Sequence, residues 1–118
     1  MIRTKKRFKT YNDGYLTVCR LKAKESSFGA FSNPKKQSDL IHVCRLAYEE
    51  LSRRDSDMEF AESDNHKLSM KVRTPYLDRV HEKHNVVIGN MLYSIFKLDY
   101  DRLKREMYLY LEEVRSIE

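Results

Sequence analysis

The stretch Val-Val-Ile-Gly-Asn-Met-Leu-Tyr (residues 86–93) carries the strongest local signal for the fold. It contains two apolar runs that are joined by Gly89 and Asn90. Glycine at the first position of a two-residue turn favours a type II′ β-hairpin, because glycine adopts positive φ without a steric cost. The second arm continues to residue 98 and is rich in aromatic and β-branched side chains. We therefore predict a hairpin, and with it an antiparallel sheet, in this half of the chain.

The segments on either side of this hairpin also show the two-residue alternation of strands. Residues 68–74 alternate between apolar and polar side chains, and Pro75 ends this strand or confines it to a sheet edge. After the hairpin, residues 99–104 predict a polar turn, and residues 107–112 predict a last strand. A helix over residues 103–114 is the alternative, since Lys, Arg, Glu, Met and Leu are good helix formers. The alternation favours the strand.

The first half of the chain predicts two more strands, over residues 15–21 and 40–48. Residues 24–38 show no period and predict a long loop, which in a compact domain is usually functional or disordered. The sum is a mainly β fold, namely a small antiparallel β-barrel or sandwich of about six strands with one short α-helix and a long early loop.

The short helix is predicted between the second and third strands. Ser52, followed three residues later by Asp55, resembles a helix capping box. We expect Met58, Phe60 and Ala61 to face the core, and we expect the polar turn that begins at Ser63 to end the helix.

Composition restricts the class of protein. A chain of 118 residues fits one domain, and 35% charged residues with a mean hydropathy of −0.72 indicate a thin core under a heavily solvated surface. No apolar run is long enough to span a membrane, and the N-terminus lacks the apolar stretch of an export signal. We expect no membrane association, and we expect Cys19 and Cys44 to be reduced.

The positive net charge of +5 is concentrated at the N-terminus. Residues 1–10 contain no acidic residue and five basic ones, Arg3, Lys5, Lys6, Arg7 and Lys9. The remaining residues, 11–118, balance in charge and form the single predicted domain. Such a basic arm can contact phosphates through a salt-sensitive attraction that is independent of sequence. A frayed, soluble terminus is the alternative.

The residues do not predict a catalytic site, a metal site or a cofactor site, so we expect a protein that is not an enzyme. His81 lies in the charged loop of residues 76–83, and His84 directly follows this loop. Between the two histidines, Glu82 is the only further candidate metal ligand. A thiol nucleophile built from Cys19 or Cys44 is less plausible than burial of both cysteines in strands. No glycine-rich phosphate loop or nucleophile-elbow motif is present.

The order of these elements resembles that of the head-closure proteins of long-tailed bacteriophages, also called head–tail adaptors or stoppers. The resemblance begins in the strand-then-helix segment at residues 46–62 and continues through the strand at 68–74 and the pair at 86–95. It ends with the last strand, at residues 106–114. It covers about residues 10–116 and looks closest to forms from phages or prophages of Gram-positive hosts.

The resemblance implies a structural role in the virion. Such proteins are similar to a small β-barrel with a helix, and they form a homo-oligomeric ring between the portal–adaptor ring and the tail proteins. They are made in the host cytoplasm and end in the neck of the particle, where the lumen of the ring passes double-stranded DNA. A long loop between early strands can hold the packaged DNA, and residues 24–38 stand at the corresponding position. In this loop the basic residues Lys24, Lys35 and Lys36 are candidates for phosphate contact, and Phe28 and Phe31 are candidates for packing between subunits.

The remaining candidate contacts are tyrosines. We expect Tyr93, Tyr108 and Tyr110 on the sheet, together with Tyr76 and the loop that follows it, to contact neighbouring subunits or partners. A small β-barrel that binds nucleic acid through aromatic platforms is the alternative function, and a toxin or small enzyme is a distant third. A plain disordered connector is the alternative for the long loop.

Overall fold

The computed structural model describes residues 11–22 and 37–117. In these residues six antiparallel strands close into a barrel with the order β1-β2-β3-β6-β5-β4. The strands are β1 Gly14–Leu21, β2 Leu40–Leu51, β3 Met70–Pro75, β4 Asn85–Ile88, β5 Met91–Asp101 and β6 Glu106–Ser116. A short 3-10 turn, Gln37–Asp39, precedes β2, and one helix, α1 Asp55–Ser63, joins β2 to β3. The prediction of a mainly β fold with six strands and one helix is confirmed.

The inside of the barrel is filled by apolar side chains from alternating strand positions. On β6, Met107, Leu109 and Leu111 are fully buried and belong to one apolar cluster with Leu16 of β1 and Val72 of β3. Because successive side chains of a strand point to opposite faces, each of these strands contributes every second residue to the core. The prediction of a last strand is confirmed, and the helix considered for residues 103–114 is wrong.

The central hairpin has the predicted two-residue turn. Ile88 of β4 pairs with Met91 of β5, and Gly89 has φ 62°, the positive value that a type II′ turn needs at its first position. The next turn comes later than predicted. Strand β5 continues to Asp101, so the turn to β6 occupies residues 102–105 instead of 99–104.

The helix begins at a different cap from the predicted one. Its N-cap is Arg54, and the backbone N–H of Arg54 donates to Oδ2 of Asp57 at 3.3 Å. The predicted pair of Ser52 and Asp55 is therefore wrong, whereas the end at Ser63 is confirmed. Ala61 is fully buried against the barrel, but Phe60 is 43% exposed, so the expectation that Phe60 faces the core is wrong. Met58, at 36%, is also exposed.

The antiparallel order places three connections at one end of the barrel, which we call the loop end. These connections are the chain between β1 and β2, the loop of residues 76–84 between β3 and β4, and the turn of residues 102–105. At the start of the first connection Leu21 pairs with Leu40, and the N–H of Lys22 donates to the carbonyl of Asp39 at 2.9 Å. Within residues 11–22 and 37–117, no helix combines the length and the apolar character that a membrane span requires.

Candidate functional site

The structure separates the four tyrosines that we predicted as partner contacts. Tyr76 is 43% exposed at the loop end, and Tyr108 is half-buried on the outer face of β6. Tyr93 and Tyr110 are only 7% and 5% exposed. The expectation that Tyr93 and Tyr110 offer surface to a partner is therefore wrong, because this chain itself covers both side chains.

The two buried tyrosines are covered in different ways. Tyr93 points into the barrel core, where burial raises the pKa of its hydroxyl. Tyr110 lies on the outer side of the sheet, but α1 covers it together with Ala61 and Leu68. The hydroxyl of Tyr110 donates to Oδ2 of Asp99 at 3.1 Å, and burial raises the pKa of Tyr110 well above that of an ordinary tyrosine.

A layer of charged side chains holds α1 on the sheet. Lys71, an outward-facing residue of β3, is only 8% exposed, and its Nζ lies 3.1 Å from Oδ2 of Asp57 on the helix. The same ammonium group lies 5.0 Å from the ring centroid of Tyr110. Lys97 contacts the rings of Tyr110 and Phe60 at 4.8 and 4.4 Å. These cation–π and ionic contacts fix the helix without a large apolar interface.

The loop end carries an exposed cluster of aromatic and basic residues. The rings of Tyr76 and Tyr100 meet edge-on, with centroids 5.2 Å apart, and 43% and 48% of these two residues are exposed. Tyr76, Arg102 and Arg105 line a cavity of about 430 Å³. The N–H of Tyr76 donates to the carbonyl of Arg105 at 2.9 Å, which ties the start of loop 76–84 to the β5–β6 turn.

A second cavity, of about 490 Å³, also lies at the loop end. It is lined by Leu98 and Tyr100 and by three polar residues of the loop, His81, Glu82 and Lys83. We call Tyr76, Lys83, Tyr100, Arg102 and Arg105 together the loop-end face.

His84 is half-buried in the loop between β3 and β4. Burial lowers the pKa of His84, and the neighbouring side chains of His81 and Arg20 lower it further. The N–H of His81 donates to Nδ1 of His84 at 3.1 Å, so this nitrogen accepts a hydrogen bond in the loop.

A third cavity, of about 670 Å³, is a groove on the outer wall between the start of α1 and the β5–β6 turn. Arg54, Lys71 and Arg102 line it, but so do Asp99 and Asp101. Because both signs of charge are present, the groove has no clear preference for a charged ligand.

Two opposite walls of the barrel carry exposed aromatic side chains. Tyr15 of β1 is 60% exposed, and the guanidinium of Arg45 on β2 lies 4.2 Å from the centroid of its ring. On the other wall, α1 presents Met58 and Phe60. Helix α1 packs on β6 through Tyr110, and β6 lies three strands from β1 in the closed order of six.

A buried polar network fixes the start of the described chain. Glu106 is fully buried, and its Oε2 accepts a hydrogen bond from the hydroxyl of Tyr11 at 3.1 Å. Nε of Arg73 lies 3.1 Å from the same oxygen without making a directed hydrogen bond, so this contact is an ion pair. Nη2 of Arg73 also reaches Oε2 of Glu49 at 3.0 Å. Burial and the contact with Glu106 raise the pKa of Tyr11 to about 12.

Both cysteines lie in the barrel. Cys19 and Cys44 are free and buried, and burial raises the pKa of both thiols, that of Cys19 to about 11. Across the part of the chain that the structure describes, no three side chains of His, Cys, Asp or Glu converge as a metal site.

The candidate residues of the N-terminal arm and of the long loop lie outside the described residues. For the arm these are Arg3, Lys5, Lys6, Arg7 and Lys9. For the loop they are Lys24, Phe28, Phe31, Lys35 and Lys36. Their predicted roles stay predictions.

The sequence pattern does not single out Tyr100, Arg102 and Arg105, because the first two lie in the predicted polar turn of residues 99–104 and Arg105 directly follows it. The available signal is that three basic residues, Arg102, Lys104 and Arg105, fall within the five residues after Tyr100. The pattern also does not show that Leu103, at the tip of this turn, is 98% exposed.

Comparisons with known proteins do not assign the chain to a family. No protein-family model matches the sequence. No curated protein matches it either.

Proposed function

We propose that this protein is a structural subunit of the neck of a long-tailed bacteriophage. In this role it forms a ring that closes the DNA-filled head and joins it to the tail. The observation that carries the proposal is the pair of exposed aromatic surfaces on opposite walls of the barrel, Tyr15 with Arg45 on one wall and Met58 with Phe60 on the other.

A closed ring needs two different contact surfaces on each subunit, one for each neighbour. The surface of Tyr15 and Arg45 carries a positive charge. The surface of α1 carries exposed carboxylates, among them Asp55, Glu59 and Glu62. Aromatic and apolar side chains provide the contact area at such interfaces, and opposite charges orient the partners. The two walls therefore fit each other as neighbouring subunits, with the helix of one copy against β1 and β2 of the next.

The order of elements agrees with this role. A strand, a helix, a strand, a hairpin and a last strand follow one another as in the head-closure proteins that the sequence resembles, and here they close into a barrel. The long connection after β1 starts and ends at the loop end, where Leu21 pairs with Leu40. We propose that residues 24–38, most of which lie outside the described residues, hold the packaged DNA in the ring channel.

The test is removal of the gene from the phage or prophage genome that carries it. We expect DNA-filled heads that lack tails and lose their DNA, and we expect a plasmid copy of the gene to restore tailed particles. A Tyr15→Asp copy should fail to restore them, because a charge on this wall opposes packing against the acidic helix. A Tyr15→Phe copy is the matched control and should restore them.

Two outcomes contradict the proposal. Normal tailed and infectious particles made without the gene would exclude a neck function. Full restoration by a correctly folded Tyr15→Asp copy would exclude this wall as a subunit contact. Genes for a portal, capsid or tail protein next to this gene are the expected genomic context.

A small barrel that binds nucleic acid outside a virion is the second candidate. The loop-end face favours it, because exposed tyrosines beside arginines are a common composition of nucleic-acid-binding surfaces. In that case removal of the gene would leave particle assembly intact.

A further inference from the structure

We infer that the loop-end face (Tyr76, Lys83, Tyr100, Arg102 and Arg105) binds the phosphate backbone of duplex DNA without reading its sequence. This assigns a DNA contact to the barrel itself, in addition to the arm and the long loop. The inference rests on the proposed function only for the source of the DNA, which would be the packaged genome.

The first argument is charge. Arg102, Arg105 and Lys83 are exposed, and they line the two cavities of the loop end, whereas Glu82 is the acidic residue that lines one of them. The nearby Asp101 uses its Oδ1 to accept the N–H of Lys104 at 3.1 Å, which shapes the turn. The two connections at residues 76–84 and 102–105 together carry five basic residues, Arg79, Lys83, Arg102, Lys104 and Arg105, and two acidic ones, Asp78 and Glu82, while Asp99 and Asp101 lie beside them at the end of β5. Such clustering attracts phosphates and weakens with salt.

The second argument is the arrangement of the tyrosines. The rings of Tyr76 and Tyr100 contact each other edge-on at an angle of 67°, so an edge of one ring covers part of the face of the other. A stack of bases needs a free ring face, whereas a phosphate needs only a hydroxyl or a guanidinium. The pair therefore fits the backbone of a duplex better than the bases of a single strand.

The third argument is position. The loop-end face lies at the same end of the barrel as the connection between β1 and β2, which is the candidate channel loop. Arg20, near the end of β1, adds a further basic side chain toward this end of the barrel. A ring whose loops point at DNA would bring this face to the same DNA.

The experiment measures binding of the full chain to a fluorescent duplex of mixed sequence, several helical turns long, by anisotropy. Salt is varied between about 50 and 200 mM. The test variant is Arg102→Gln with Arg105→Gln. The control variant, Lys67→Gln with Arg115→Gln, removes the same charge away from the face. Each lost phosphate contact should reduce the slope of log K against log salt by about 0.9, so the test variant should lose about 1.8.

We expect weaker, less salt-dependent binding by the test variant and nearly unchanged binding by the control, with the same thermal melting for all proteins. Tyr100→Phe should also weaken binding if its hydroxyl contacts a phosphate. Three outcomes overturn the inference: no duplex binding by the natural chain, equal loss in test and control variants, or tighter binding of a single strand that depends on the Tyr100 ring. Each of these outcomes leaves the neck function open, since that function is tested by removal of the gene.

Discussion

Replacing Arg73 with methionine should lower the free energy of unfolding by about 3–5 kcal/mol. The side chain of Glu106 is fully buried, and its Oε2 lies 3.1 Å from Nε of Arg73. The substitution therefore removes a guanidinium charge that lies directly beside a buried carboxylate. The second partner, Glu49, is 34% exposed, so losing that ion pair adds about 1 kcal/mol at most. Small domains are stable by about 5–15 kcal/mol, and the variant should thus be close to unfolding.

The assay is urea unfolding followed by circular dichroism, applied to Arg73→Met, Glu106→Gln and the double variant. In the Glu106→Gln background, Arg73→Met should lower the free energy of unfolding by less. The coupling energy between positions 73 and 106 should be about 0.5–3 kcal/mol. Lys67→Met, at an exposed position, is the control and should change stability by about 0.5 kcal/mol or less. A loss below about 1 kcal/mol for Arg73→Met, or an equal loss in both backgrounds, would refute the idea that this pair neutralises a buried charge.

Three further predictions concern the turn, the long loop and pH. Gly89→Val should destabilise the fold by about 1–3 kcal/mol, because valine resists φ 62° although the side chain meets no neighbour, and unchanged thermal melting would contradict this. Deletion of residues 26–36 should leave melting unchanged while assembled particles leak DNA, and full retention of DNA would exclude the plug role. Glu112→Gln should make the free energy of unfolding fall less steeply as the pH is lowered. The carboxylate of Glu112 contacts Nδ1 of His66 at 2.8 Å, and this contact lowers the pKa of Glu112. The ionised carboxylate therefore stabilises the fold at pH values above the ordinary glutamate pKa. This stabilisation is lost as the pH falls through the lowered pKa. Identical pH profiles of stability for the variant and the natural chain would contradict it.

The strands could be predicted because their two-residue alternation is a local property. Met107, Leu109 and Leu111 alternate in the sequence, and all three are fully buried in the barrel. The same pattern correctly placed Lys71 and Tyr110 on the other face of their strands. The alternation did not predict that Lys71 and Tyr110 are buried. They are covered by α1, which packs on the sheet through contacts between residues distant in sequence.

The candidate site was less predictable. Tyr76 could be chosen from the sequence because it begins a charged loop. Its partner Tyr100 lies at the end of strand β5, and the two rings meet only because β3, β6 and β5 pair side by side. Arg105 joins them through the hydrogen bond between its carbonyl and Tyr76. No local pattern contains this three-part arrangement. The position of the helix cap is likewise only partly local, since Asp57 accepts the N–H of Arg54 three residues earlier and also contacts Lys71 on β3.

The closed base of the first connection has a practical consequence. Leu21 pairs with Leu40, and the N–H of Lys22 donates to the carbonyl of Asp39. The sheet between β1 and β2 is therefore hydrogen-bonded up to the two residues at which the connection starts and ends. Each doubling in the length of a flexible connection costs only about 0.6 kcal/mol. An epitope tag inserted between these two anchor points should therefore leave the barrel folded, which allows the role of this connection in the particle to be tested separately from the stability of the barrel.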